Sequence, residues 1–325
     1  MFSCDRTTQS ASSSRAKRGI CIFASAVLSL VLLSRVHAGF PAAPKRPRIF
    51  GIARVQILTS DISEGRSFYS KVLGQAGDCN WCEEVPGRSF LINWTQGIGL
   101  SEDASPTVSN RIEEITFATD HVDQLSRYLT ENNIEVSGPR EKDKRAGPFL
   151  SVVDPEGHRI SFIQSLGVTA RKPGYPLDSS PNNLRLIHAG FVVKDRAAED
   201  KFYKDILGFH VYWHGGMKDG EDNWVDMQVP DGADWIEYML KVPENATHKQ
   251  LGVMNHIALG VPDIHAAQQQ LINNGWTGTE EPKIGRDGKW QLNLYDPDET
   301  RVELMEFKPT KEPCCSPYTG PHPGP

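Results

Sequence analysis

His188, Glu237, His256 and Glu303 are the residues of this chain best able to do chemistry together. Each sits in a short run that alternates apolar and polar residues. In 187–193, Ile187, Ala189, Phe191 and Val193 share one parity and His188 takes the other; in 255–261, Ile257, Leu259 and Val261 oppose His256, Ala258 and Gly260. Around 235–240, Ile236, Tyr238 and Leu240 oppose Glu237, and in 300–307, Val302 and Leu304 oppose Glu303. In a strand successive side chains point to opposite faces, so helices packed on the apolar parity would leave all four polar residues on the concave side of a curved sheet. Two imidazoles and two carboxylates gathered there are costly to desolvate unless a cation joins them. One divalent metal ion meets that need, and Glu237 or Glu303 can then serve as base for a proton on a bound substrate. Small Gly190, Ala258 and Gly260 on the same parity are expected to leave room for ion and substrate.

A single strand histidine is more often a hydrogen-bonded core residue than a ligand, and a lone glutamate is more often solvated. Four at matched parity in repeated units outweigh that reading. The other histidines, His121, His158, His210, His214, His248, His265 and His322, fall in expected turns, helices, strand ends or the tail.

The elements that must position these residues come from duplication. The block Ile52–Gly74 superimposes on the later block without a gap, placing Arg54 on His188 and Phe68-Tyr69 on Phe202-Tyr203, a shift of 134 positions. Each half contains a second strand-helix opening, 115–125 and 255–271, and the closing segments 153–160 and 295–302 also match, each with an Asp-Pro turn. The reading is an α+β chain of four strand-helix-strand-strand-strand units. For the third unit the expected elements are 186–193, 197–207, 209–214, 223–228 and 235–241; for the fourth they are 254–261, 263–274, 276–280, 289–295 and 300–307.

At 325 residues the chain is long enough for two compact domains, expected over 49–166 and 185–307 with a Pro- and Gly-rich linker at 167–184. A formal charge of −6 with scattered Lys and Arg offers no basic stripe, so the expected partner is a small-molecule substrate and not nucleic acid. Residues 1–38 read as a signal peptide: Arg15, Lys17 and Arg18 precede an apolar stretch, and Val36-His37-Ala38 supplies a cleavage site near Ala38. Export, either secreted or periplasmic, is expected, without stable membrane association after cleavage. A leader follows at 39–48. The mature chain keeps Cys79, Cys82, Cys314 and Cys315, which an oxidising compartment allows to pair. Prolines and glycines in 308–325 predict a disordered tail.

On these residues the chain resembles the vicinal oxygen chelate superfamily over about 50–307, whose paired modules form cupped half-barrels around a metal. The second half is most similar to glyoxalase I, whose His, Glu, His, Glu ligand order is met by His188, Glu237, His256 and Glu303. The resemblance implies a metal-dependent lyase or isomerase using Ni, Co, Zn, Mn or Fe, with Glu237 and Glu303 as catalytic candidates. The four-module plan also resembles the type I extradiol dioxygenases, whose iron would be held by His188, His256 and Glu303. There the chain departs from the pattern, with Asn293 in place of the catalytic tyrosine and approximately Glu237 in place of the histidine base. Antibiotic-sequestering members of the superfamily give a third, non-enzymatic reading. In the first half, Arg54, Thr116 and Ser161 are expected at the places of His188, His256 and Glu303, leaving a structural partner without a metal. Trp213, Trp224, Trp290 and Tyr295 are candidates to line the cup.

Overall fold

A computed structural model describes residues 45–74, 88–93, 96–105, 110–140, 148–164 and 184–325. The expected signal peptide, most of the leader and linker, and the Cys79/Cys82 pair lie outside the described residues.

In the first half, β1 (Ile49–Thr59) leads into α1 (Ile62–Arg66), capped by Asp61, whose side chain accepts from the backbone N–H groups of Ser63 and Glu64. The helix continues in wider turns over Ser67–Val72. Then come β2 (Arg88–Asn93), β3 (Gln96–Glu102), β4 (Ile112–Thr119), α2 (Val122–Glu131), β5 (Ser137–Arg140), β6 (Phe149–Val153) and β7 (Arg159–Gln164). The second half repeats the plan: β8 (Arg185–Val192), α3 (Arg196–Glu199, widening over Asp200–Ile206), β9 (His210–Gly215), β10 (Trp224–Gln228) and β11 (Trp235–Met239). After these come α4 (His248–Met254), β12 (His256–Val261), α5 (Ile264–Asn273), β13 (Lys283–Ile284), β14 (Trp290–Tyr295) and β15 (Arg301–Glu306). The helix α4 was not expected, although Thr247 and Gln250 form a capping box at its start. The strand expected at 276–280 is absent; a two-residue strand forms instead at Lys283–Ile284.

The described strands form two sheets, ordered β2-β3-β1-β4-β7-β6-β5 and β13-β14-β15-β12-β8-β11-β10-β9. Each is centred on an antiparallel pair of module-opening strands, β1 with β4 and β8 with β12. Each opening strand is flanked by a parallel closing strand of its own module: β3, β7, β11 and β15. This is the paired half-barrel arrangement that the four units predict.

The two halves pack against each other. Residues Pro44–Pro325 form one compact unit, and a single buried cluster runs from Ile49 and Phe117 through Phe191 and Tyr238 to Leu304. Reciprocal bonds lock the seam: Tyr69 of the first half donates to Asp296 of the second, while Tyr203, its duplicate, donates to Asp154 of the first. Tyrosine and aspartate were each copied, and each copy pairs across the seam.

The 308–325 tail is also ordered, contrary to expectation. Trp213 Nε1 donates to the carbonyl of Cys314, the hydroxyl of Ser316 both donates to His214 O and accepts from His214 N, and the Thr319 N–H donates to Tyr212 O. The tail thus covers β9, the edge strand of its sheet, which would otherwise present unpaired backbone groups. Cys314 and Cys315 are joined by a disulfide.

Candidate metal centre

The four polar residues come from the four central strands of the second sheet: Glu303 on β15, His256 on β12, His188 on β8 and Glu237 on β11. Strand register explains how they meet. Gly190 of β8 is aligned with both His256 on one side and Glu237 on the other. Ala258 of β12 is aligned with both His188 and Glu303. Where the strand between two ligands carries almost no side chain, the ligands close over it. A Cβ built on Gly190 would lie 2.1 Å from His256 Cε1.

A bulge completes the aim. Pairing of β8 with β12 slips between Ala258 and Leu259, so that His188 faces Ala258 but Leu186 faces Leu259, leaving Ile187 as the extra residue. Ile187 therefore joins the cluster on the cup side with Trp235 and Ala258, while Leu186 and Ala189 stay on the helix side. Simple alternation had put Ile187 with Ala189. Gly260 gives its space to the Phe307 ring and does not serve the site.

Donor atoms of the four residues converge. His188 Nε2 lies 3.1 Å from His256 Nε2, and His256 Nε2 lies 3.0 Å from Glu237 Oε2. Glu303 Oε2 is 3.7 Å from His188 Nε2 and 3.9 Å from His256 Nε2, and Glu237 Oε2 is 3.9 Å from His188 Nε2. Ligands held roughly 2.0–2.2 Å from one ion stand about 3–4 Å apart, so His188, Glu237 and His256 form the group that fits a single small divalent metal, with Glu303 next to both histidines. The His256 Nδ1–H donates to Met254 O at 2.9 Å, which turns its Nε2 lone pair into the site. His188 is 1% exposed and His256 0%, and burial holds both imidazoles well below their usual pKa, with the nearby Arg301 charge acting the same way. Neutral imidazoles are what a metal requires. Burial raises Glu237 and Glu303 to about 7, opposed chiefly by Arg301. The conflict between buried carboxylates and imidazoles that the sequence implied is present in the structure.

Trp235, which alternation did not single out, stacks on His188 with ring centroids 4.8 Å apart. Behind it Lys289, fully buried, holds its ammonium 4.4 Å from the Trp235 ring, and its Nζ makes no hydrogen bond among the described residues. A cavity of about 330 Å³ opens beyond His188, Glu237 and Glu303, walled in part by Trp213 and Trp224. Trp290 does not face it; its ring packs on His265 of α5, on the helix side. Tyr295 also lies outside it, whereas Asn293, two residues earlier, lines it.

The corresponding place in the first half is closed. Arg54 stands where His188 does, and the register puts Glu114, not the expected Thr116, at the place of His256. Arg54 and Glu114 form an ion pair at 2.9 Å. Gln56 takes the position of Gly190 and Thr116 that of Ala258, filling both gaps that the ligands cross in the second half. Gly99 is aligned with Gln56 as Glu237 is with Gly190, and Ser161 stands at the place of Glu303. A self-neutralising pair replaces a set that calls for a cation.

The fold has counterparts among known proteins. Residues 185–304 match the Glyoxalase/Bleomycin resistance protein/Dioxygenase superfamily. No curated protein matches the chain. Among solved structures, a variant of homoprotocatechuate 2,3-dioxygenase from B. fuscum in complex with HPCA is 21% identical with a TM-score of 0.61, the alignment covering 82% of this chain and 73% of that one. The B. fuscum enzyme complexed with 3,4-dihydroxyphenylacetate is 21% identical with a TM-score of 0.58, and the Arthrobacter globiformis enzyme 22% with 0.58, each alignment covering 82% of both chains. Residues 185–304 thus match the Glyoxalase/Bleomycin resistance protein/Dioxygenase superfamily, and the described chain shares the two-sheet, four-module fold of these solved structures.

Proposed function

We propose that the protein is a metal-dependent enzyme that binds an aromatic compound through two adjacent oxygens and opens its ring with dioxygen, as an extradiol dioxygenase does. The observation that carries this reading is the placing of the whole donor set in the C-terminal sheet of a two-sheet, four-module chain, beside a first sheet whose site is closed by Arg54 and Glu114. The solved dioxygenases share the fold over 82% of this chain, which supports the reading. The bound ion would hold the two oxygens and lower the pKa of their protons. His188, His256 and Glu303 would hold the ion, leaving Glu237 to take and return protons at its Oε2. Trp213 and Trp224 give the cavity an apolar wall for a ring.

A second reading rests on Glu237. Its Oε2 lies within coordinating range of the same ion position, and a four-ligand centre suits the proton transfer of a glyoxalase I-like lyase or isomerase. Oxygen uptake decides between them. Protein loaded with Fe(II) without air and given 3,4-dihydroxyphenylacetate should consume one dioxygen per diol; a metal-loaded protein that leaves diol and oxygen untouched while isomerising a 2-oxoaldehyde hemithioacetal supports the lyase.

We also propose that residues 1–38 direct export and are removed near Ala38, on the basic start and the Val36-His37-Ala38 end. N-terminal sequencing of the mature chain tests this; a chain beginning at Met1 in a soluble cytosolic fraction overturns it.

A further inference from the structure

The last residues of the chain do more than cover β9. In the eight-stranded sheet β9 is one edge and β13 the other, and the tail joins the two beside the cavity. One residue makes the join: Cys314 donates its N–H to Arg286 O of the β13–β14 hairpin at 2.8 Å, and its carbonyl accepts from Trp213 Nε1 of β9 at 3.1 Å. Arg286 also aims its Nη2 at Cys315 Sγ, 3.5 Å away, and Trp213 and Arg286 both line the cavity. A second crossing follows, where the Tyr318 hydroxyl donates to Asp287 O and the Thr319 N–H to Tyr212 O.

The first crossing rests on a conformation that a backbone with a side chain seldom takes. The Ser316 N–H donates to Cys314 O at 2.9 Å, closing a three-residue turn whose central residue, Cys315, has a φ of 77°. A positive φ is uncommon outside glycine, and this form of γ-turn is strained. Three things hold it. The Ser316 hydroxyl is bonded to both backbone groups of His214; the Cys315 sulfur rests on the bare backbone of Gly215, where a Cβ would come within 3.2 Å of it; and Cys315 is joined to Cys314. The first two are fixed by β9, whereas the third is chemically reversible. Cys315 is exposed and Cys314 half-buried, and exposed disulfides are the ones that thiols open readily. Once the pair is open, Cys315 is free to leave the left-handed region, and the peptide groups of Cys314 that hold Trp213 and Arg286 turn with it.

We propose that Cys314 and Cys315 form a redox-exchange site, addressed by a dithiol, that fastens the two edges of the second sheet when oxidised and releases Trp213 and Arg286 of the cavity wall when reduced. The thiolate of the dithiol attacks one sulfur of the pair, the S–S bond breaks, and the other sulfur leaves as thiolate and takes a proton. The second thiol of the partner then displaces the first sulfur and closes the partner's own disulfide, so two electrons and two protons pass to the chain. The crossing at Tyr318 and Thr319 contains no sulfur and stays in place, so the tail unfastens without leaving. None of this depends on the reaction proposed for the metal centre.

The test compares the full chain isolated under air with the same chain reduced by dithiothreitol without air, desalted and matched in metal content. Mass spectrometry of alkylated peptides reads the state of residues 314–315, and NMR reads hydrogen exchange. On reduction, exchange should speed up about tenfold or more at the Cys314 and Ser316 amides and the Trp213 indole N–H, the scale of losing a strained turn and its bonds. The Thr319 amide and those of β8 and β12 should keep their rates. Cys314→Ser combined with Cys315→Ser should show the faster rates in both conditions, and Cys79→Ser combined with Cys82→Ser should respond as the parent does. Equal rates in the oxidised and reduced parent overturn the proposal. So does a 314–315 pair found reduced after isolation under air, or left oxidised by dithiothreitol, or a response that disappears with Cys79 and Cys82. Acceleration spread equally over β8 and β12 also overturns it, because the disulfide would then support the fold as a whole and not one crossing.

Discussion

Glu237 and His256 touch across a strand that separates them: Oε2 of one lies 3.0 Å from Nε2 of the other, over the bare backbone of Gly190. The contact makes Glu237 the residue on which the reaction class turns. If the ion is held by His188, His256 and Glu303, Glu237→Gln should keep metal occupancy and lose at least about a hundredfold in turnover, the scale of a general acid or base. Metal content beside steady-state rates checks this; loss of both together would assign Glu237 to the ion and favour the lyase.

Gly190→Ala places a methyl group 2.1 Å from His256 Cε1. The ring must move, so metal affinity should fall by roughly 10- to 100-fold, the usual effect of disturbing a ligand's support. Ala258→Thr, which copies Thr116 of the closed first half, should do the same between His188 and Glu303. Metal titration with thermal melting separates this from unfolding: affinity should drop while the metal-free melting temperature moves by only a few degrees.

Much of this centre was legible beforehand because ligand choice and strand parity are local properties. Four donors in register with a repeat can be read from residue types alone. The bulge at Ile187, the stacking of Trp235 on His188 and the ion pair of Glu114 with Arg54 depend on which strands pair and with what slip. Arg301 shares parity with Glu303 and could have been singled out on that signal, but an arginine at a strand start is ordinarily a solvated end. The tail misled for a different reason. Proline and glycine do exclude helix and sheet from 308–325, yet single hydrogen bonds from Trp213, Tyr318 and Ser316 order it without regular structure.

Removal of the tail after Lys308 should therefore cost more than disorder would suggest. It uncovers β9 and strips the hairpin bonds Cys314 N to Arg286 O and Tyr318 Oη to Asp287 O. Melting temperature should fall and KM should rise, because Arg286 and Asp287 line the cavity. A truncated chain with parental melting and KM would show that the tail only lies on the surface.

Glu199 gives a pH dependence that lies away from the metal. It is buried beside Asp154, and burial first, then the Asp154 charge, raises its carboxyl from an ordinary 4.5 to about 8 against the opposing hydrogen bond from Glu156 N. A folded-state pKa above the unfolded one means the folded chain binds the proton more tightly, so the stability is complete below about 4.5 and is lost as pH rises toward 8. Glu199→Gln keeps an acceptor for Glu156 N and removes the titration. Urea unfolding at pH 6 and 9 should show a smaller loss of stability in the variant than in the parent, and equal losses would contradict the shift.

The most direct measurement is metal stoichiometry on protein purified without air and dialysed free of loose ions. The account predicts one divalent ion per chain in the parent and in Arg54→Ala, and essentially none in His188→Ala or His256→Ala, with each variant's circular dichroism unchanged. An ion retained at full stoichiometry in both histidine variants, or lost when Arg54 alone is replaced, would contradict a centre built by the C-terminal sheet.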